Sequence, residues 1–240
     1  MKKPEQAIVL SAGLGLRMRP LTERMPKPLI QVGGKALIDW GLDALEREGV
    51  HQAVVNVHYL ADMMTAHLSR RKAPHIIISD ERDRLLDSGG GIVKALPFLG
   101  DNPFFILNAD TFWIDRSESN LGRLACRWDA GRMDILILLA NPELATGHVG
   151  KLDFTMGQDG RLKRAGGSAD GYIYAGAAIL NPRLLSGVSA EPHSLNLHFD
   201  RAIAEGRLFG LPLDGHWITV GTPEAIVPAE AVLRRLGVVS

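Results

Sequence analysis

The chain has 240 residues, with 27 lysine plus arginine against 27 aspartate plus glutamate. It is long enough to bury a sizeable core, and too evenly charged to attract a nucleic-acid backbone or an acidic membrane from a distance. Its one cysteine, Cys126, excludes an intramolecular disulfide and a thiolate-rich metal cluster, and no apolar run approaches the roughly 20 residues of a membrane helix.

The first segment, MKKPEQAIVLSAG, places Glu5 and Gln6 between its lysines and a short apolar run. It therefore reads as a first strand and not a secretion signal, and a soluble cytoplasmic protein is the expectation. AIVLSA (7–12), AVVNVH (53–58), HIIIS (75–79) and FFILNA (104–109) are the strands predicted in the first half. Between them, 36–49 carries Leu37, Ile38, Leu42 and Leu45 on one helical face and stops at Gly49, and 60–71 shows a similar stripe. That alternation predicts a parallel sheet with crossover helices. After DILILLA (134–140) come GKLDFTM, the turn GQDG, RLKRA and GYIYAGAAIL, which predict an antiparallel hairpin attached to the same sheet. A helix over 195–205, the strands RLFGLPL and HWITV, and a helix over 223–236 with Pro223 in its first turn complete one mixed α/β domain.

The loop after the first strand, SAGLGLRMRPLTERMPKPL, combines small residues with cations. It is not a Walker loop: its Gly34-Lys35 pair is followed by Ala36 and lacks the glycine five residues earlier. The dinucleotide fingerprint fails too, since Met18 stands where the third glycine belongs, and Pro20, Pro26 and Pro28 interrupt the helix that should follow. What remains is a loop whose amides around Ala12, Gly13, Gly15 and Leu16 can form an anion-binding nest, with Arg17, Arg19 and Lys27 supplying cations. So many positive groups imply a polyphosphate.

SAGLGLRMRPLT followed by PKPLIQVGGKALI resembles the signature of sugar-1-phosphate nucleotidyltransferases, and the likeness continues through VVNVHYLAD, LLDSGGGIVKAL, FFILNAD and VGTPE. Within that family the short uridylyltransferases acting on N-acetylmuramate 1-phosphate, in peptidoglycan recycling, are the most similar, and mannose-1-phosphate guanylyltransferases follow. The resemblance implies a Rossmann-like three-layer α/β/α fold with a mixed, mostly parallel sheet. Residues 1–140 would hold the nucleotide, 141–220 the sugar, and 221–240 the last helix.

It also implies a reaction. A sugar 1-phosphate attacks the α-phosphorus of a nucleoside triphosphate and expels pyrophosphate, helped by Mg²⁺. Neither a nucleic acid nor a membrane takes part. Arg17, Lys27 and Asp110 would be catalytic, with Asp110 also the metal ligand. The nucleotide would lie on Ala12, Gly13, Gly15, Arg17, Asp87, Gly89 and Gly90, and the sugar phosphate on Lys27, Asn108 and Gly176. The residues leave a plainer alternative at DSGGG, a helix N-terminus capped by Ser88. Asn56 and His58, at the end of the second strand, are weaker candidates for ligand contact.

One position departs from the family pattern. HWITVGTPE has Thr219 where W-x-D-x-G-T places a second metal carboxylate. The metal would then rest on Asp110, phosphates and water, with Asp200 or Asp214 as possible substitutes. A non-catalytic sugar-nucleotide-binding protein is the alternative from another class, and an NAD-dependent oxidoreductase rests only on the broken fingerprint. For an acidic sugar substituent, the sequence offers Arg82, Arg84 and His148 as partners without choosing among them.

Overall fold

The computed structural model describes residues 3–239. In chain order its first half runs β1 (Gln6–Leu10), β2 (Gln31–Val32), β3 (Lys35–Ala36), α1 (Leu37–Arg47), β4 (Gln52–Val57), α2 (Ala61–Leu68), β5 (His75–Asp80), α3 (Asp87–Leu99), β6 (Phe104–Asn108), β7 (Thr111–Asp115) and α4 (Asn120–Arg127). The second half runs β8 (Ile135–Ala140), β9 (Ala145–Thr146), β10 (Phe154–Met156), β11 (Leu162–Arg164), β12 (Ile173–Leu180), α5 (Asn196–Ala204), β13 (Leu208–Pro212), β14 (Gly215–Thr219) and α6 (Ile226–Arg235).

Seven strands form the main sheet in the order β13-β8-β12-β6-β1-β4-β5. Neighbours are parallel except at β12, which runs antiparallel to both β6 and β8. The strands are apolar on both faces because helices cover both. Ala7 and Val9 of β1 point into one core with Leu42 of α1, Met64 of α2 and Leu124 of α4. Ile8, between them, points into the other with Ile92 of α3 and Phe199 of α5. The result is the expected three-layer α/β/α architecture with a mixed, mostly parallel sheet. Among the described residues, no helix is long and apolar enough to cross a membrane.

A third core lies to one side, where the short sheet β7-β14-β9 meets the C-terminal helix. Met18 and Ile30 from the opening loop pack here against Ile218, Ala229 and Leu233. Trp40 stacks on Phe112 with ring centroids 4.6 Å apart.

Two expectations about elements need correction. The β10-β11 hairpin is a two-stranded sheet of its own, linked to its surroundings by single bridges from Phe154 to Tyr172 and from Arg161 to Phe209. The edge of β13 meets the turn of that hairpin, where Gly210 N donates to Gly160 O, and not the length of a strand. The last helix begins later than Pro223, which sits in a separate 3-10 turn, Pro223–Ala225. Pro228 then occupies the first turn of α6, where a missing amide hydrogen leaves no bond unmade.

Candidate active site

From β1 the chain builds outward through β4 and β5, then returns to place β6 on the other side of β1. That reversal leaves a crevice at the carboxyl ends of β1 and β6, the usual ligand position in open α/β sheets. The opening loop leaves β1 there, and Asn108, Ala109 and Asp110 leave β6. A cleft of about 610 Å³ lies between them, closed on its other sides by Lys27, Ser88 and Gly221.

The loop is fixed from behind. Gly15 has φ +63°, and a β-carbon on it would lie 2.9 Å from Thr22 Cγ2 and 3.0 Å from Lys27 Cβ. Glycine thus allows the positive φ and the close return of the chain. Thr22, buried, donates its hydroxyl to Gly15 O at 2.8 Å, and the Tyr59 hydroxyl donates to Thr22 O at 2.9 Å. Met18, which broke the dinucleotide fingerprint, is fully buried in the third core, an anchor worth about 1.5–3 kcal/mol. Pro26 precedes and Pro28 lies within a 3-10 turn, Lys27–Leu29, that stiffens the backbone at Lys27 on the cleft wall.

So anchored, the loop leaves its front open. The backbone amides of Gly13, Leu14 and Gly15 donate to no group among the described residues, which is the condition for an anion nest. Arg17 is exposed, with its guanidinium beside Gly221 at the cleft wall. Lys27 Nζ lies 2.6 Å from Asp110 Oδ2, with side chains 12% and 34% exposed. Two of the expected catalytic residues, 83 positions apart in the chain, are therefore in direct contact. Arg19, by contrast, is exposed and does not line the cleft.

The glycine run at the start of α3 is organised differently from the expectation. Gly89 and Gly90 are buried, and both amides donate to His193 O, at 2.8 and 3.2 Å. They are not presented to a ligand. A β-carbon on Gly90 would fall 2.3 Å from Glu191 O, so these glycines admit the 191–193 segment. Ser88 is no cap either. The helix starts at Asp87, whose φ is +59°, and the Ser88 hydroxyl accepts from Leu195 N at 2.9 Å while lining the cleft.

A buried polar chain joins the two turns, and Asn56, a weaker candidate for ligand contact, belongs to it together with Glu81 and does not line the cleft. Ser11 N donates to Asn56 Oδ1 at 2.7 Å, Asn56 Nδ2 to Glu81 Oε1 at 2.8 Å, and Leu86 N to Glu81 Oε2 at 3.1 Å. Glu81 is fully buried and Asn56 nearly so. His58 Nδ1 lies 2.7 Å from Glu81 O, so this histidine also serves the scaffold. The segment SDERD resembles a solvated charge run, which hid the buried glutamate.

A second cavity, of about 220 Å³, shares Leu10, Ser88 and Asn108 with the cleft and runs toward α5. Gly176 lines neither space. Its φ is +77°, and a β-carbon there would collide with Thr111 Oγ1 at 2.2 Å, so it lies buried behind Asn108 and supports it.

Thr219 pairs with Thr111 across β14 and β7, next to the Asp110 turn, where Val220 N donates to Asp110 O at 3.1 Å. The suggested substitutes lie elsewhere: Asp200 pairs with Arg164, and Asp214 accepts from Ser117 Oγ. Among the described residues lining the cleft, Asp110 is the one carboxylate, and no group of three or more histidine, cysteine or acidic side chains is gathered as a metal site.

A family model described as Nucleotidyl transferase matches residues 6–141. The N-acetylmuramate alpha-1-phosphate uridylyltransferase of Caulobacter vibrioides is 44% identical over 236 residues, covering 96% of this chain and 97% of its own length. The protein of that name from Neisseria meningitidis serogroup B is 31% identical, covering 95% and 97%. Among solved structures, the inositol-1-phosphate CTP transferase from T. maritima superposes with a TM-score of 0.78 at 17% identity, covering 100% of this chain and 99% of that one, a likeness of fold.

Proposed function

The chain belongs to the nucleotidyl transferase family, and from that premise we propose that it joins UTP and N-acetylmuramate 1-phosphate, giving a UDP-sugar and pyrophosphate. The observation that carries this reading is the Lys27–Asp110 pair at 2.6 Å on the rim of an open amide nest. Phosphate-binding amides, a mobile cation and a hard oxygen ligand converge there. The base and the sugar are those in the names of the two uridylyltransferase relatives that match nearly the whole chain.

In this reading the sugar phosphate oxygen attacks the α-phosphorus, the bond from that phosphorus to the bridging oxygen breaks, and the electron pair leaves with pyrophosphate. The nucleophile is already an anion, so no side chain has to remove a proton, and positioning and charge neutralisation dominate. The amides of Gly13 to Gly15 cradle the triphosphate and Arg17 grips it from the Gly221 side. Arginine suits this task because its fork binds phosphate oxygens in pairs. Lys27, a point charge on a stiff turn, bridges the α-phosphate and the incoming sugar phosphate. Asn108 stands where cleft and second cavity meet and orients the sugar phosphate. We assign the nucleotide to the part contributed by residues 1–140 and the sugar to the part contributed by 141–220.

The donor chemistry at Asp110 fits Mg²⁺, which keeps waters and needs only one or two protein carboxylates when phosphates supply other ligands. Asp110 would hold the ion, which when bound neutralises charge on the phosphate oxygens. Lys27 contacts the same carboxylate, so a cation held by Asp110 would leave the Lys27 ammonium free to turn to the phosphates.

The test is pyrophosphate release across UTP and GTP against N-acetylmuramate, mannose, glucose and heptose 1-phosphates, with and without EDTA. UTP with N-acetylmuramate 1-phosphate should give the highest kcat/KM, and EDTA should abolish it. Release with no pair, alongside tight nucleotide binding, would point to the non-catalytic alternative.

A further inference from the structure

The second cavity holds a cation that is already set in place. Arg164, on β11, lies over the rings of Phe154 and Phe199, at 4.8 and 5.9 Å from their centroids. Its Nε donates to Asp200 Oδ1 at 2.7 Å and its Nη2 to Asn196 Oδ1 at 2.9 Å. Its Nη1 donates to no group among the described residues. A guanidinium held on two aromatic faces with donors to spare is pre-organised for an acceptor.

Tyr174 lines the same cavity. Its hydroxyl is buried and makes no hydrogen bond, although buried phenols usually find a partner. Burial also pushes its ionisation well above the ordinary tyrosine range, which keeps the group a neutral donor. Asp153 completes the polar wall. Its Oδ2 accepts from Tyr174 N at 2.8 Å, and its charge favours a ring hydroxyl beside it while directing any acid toward Arg164.

We propose that Arg164 and Tyr174 form the seat of an acidic substituent on the sugar, so that the chain selects carboxylate-bearing sugar 1-phosphates over neutral ones. This rests on the sugar-1-phosphate reading above. The three cationic candidates suggested by the sequence lie outside the cavity: Arg82 pairs with Asp80 and Asp62, Arg84 with Glu191, and His148 packs near Trp217. The residue that fits comes from a hairpin whose RLKRA sequence looks like solvated surface.

The experiment measures kcat/KM for N-acetylmuramate 1-phosphate and for N-acetylglucosamine 1-phosphate, the same hexosamine without the lactyl acid, in the wild type, Arg164→Ala, Arg164→Lys and Tyr174→Phe. Arg164→Ala should lower the acidic-to-neutral ratio by about 10- to 100-fold, chiefly through KM of the acidic sugar. Arg164→Lys should recover part of that ratio, and Tyr174→Phe, which removes only the hydroxyl, should lower it several-fold, with KM for UTP held in all variants. A preserved ratio in Tyr174→Phe and in folded Arg164→Ala overturns the proposal while leaving the sugar-1-phosphate reading intact. A wild type that prefers the neutral sugar also overturns it, and one that turns over no sugar 1-phosphate overturns both.

Discussion

Two glycine-rich turns face each other across the cleft, and they have opposite fates. At 12–16 the anchors lie behind the loop, in Thr22, Met18 and Lys27, and the amides of Gly13 to Gly15 stay open. At 87–91 the amides of Gly89 and Gly90 are consumed by His193 O, and the glycines serve as clearance for a crossing segment. A glycine run therefore signals close backbone approach, and what approaches, ligand or chain, depends on residues far away. The open turn keeps its donors free; the closed turn packs.

The largest effect should come from removing the cation of the open turn. Lys27→Ala is expected to lower kcat/KM by about 10²- to 10³-fold. Its fold should survive, since a partly exposed pair contributes about 1 kcal/mol or less, so thermal unfolding followed alongside steady-state rates separates the two effects.

A pair of matched substitutions sharpens the contrast. Gly90→Ala forces a β-carbon against Glu191 O and should cost about 1–3 kcal/mol in urea unfolding, with KM for UTP little altered. Gly13→Ala meets nothing within 4 Å and should stay within about 0.5 kcal/mol of wild-type stability. Gly13 lines the cleft, however, and on the proposed reading of its amides KM for UTP should rise about tenfold, or about 1.4 kcal/mol. If the two variants behaved alike, the distinction between the turns would fail.

The closed turn should also be the acid-sensitive one. His193, which clasps Gly89, lies with Nε2 2.9 Å from Nε2 of His198. Burial, together with the nearby His193 and Arg201, holds the His198 imidazole below its ordinary value of 6.5. A group whose folded pKa is depressed is protonated more readily in the unfolded chain, so its contribution is present above 6.5 and lost as pH falls through the lower folded value. Urea midpoints between neutral and mildly acidic pH should fall in the wild type and fall less in His198→Gln.

The smallest effect concerns the metal. Thr219→Asp, beside the Asp110 turn, should lower the Mg²⁺ concentration for half-maximal rate a few-fold, by adding a second carboxylate.

Much of the architecture was legible because its signals are local. β-branched runs of five or six residues and helical stripes ending at glycine need no distant information, and Asp110 follows directly on the apolar strand segment FFILNA. The loop was legible through its cations and the failed alternatives. What stayed hidden depends on partners remote in sequence. His193 lies about a hundred positions from the glycines it covers, Glu81 reads as surface until Asn56 and Leu86 are placed around it, and Arg164 acquires its role only when Phe154 and Phe199 converge beneath it. Gly176, expected on the sugar, supports Asn108 from behind because Thr111 covers it.

The polar chain from Ser11 through Asn56 and Glu81 to Leu86 has a metric consequence. Its links are 2.7, 2.8 and 3.1 Å long and shielded from water, so it acts as a rod of set length between the opening loop and the start of α3. Glutamate at 81 then calibrates the width of the cleft, and a shorter acid there would change that width from outside the cleft lining.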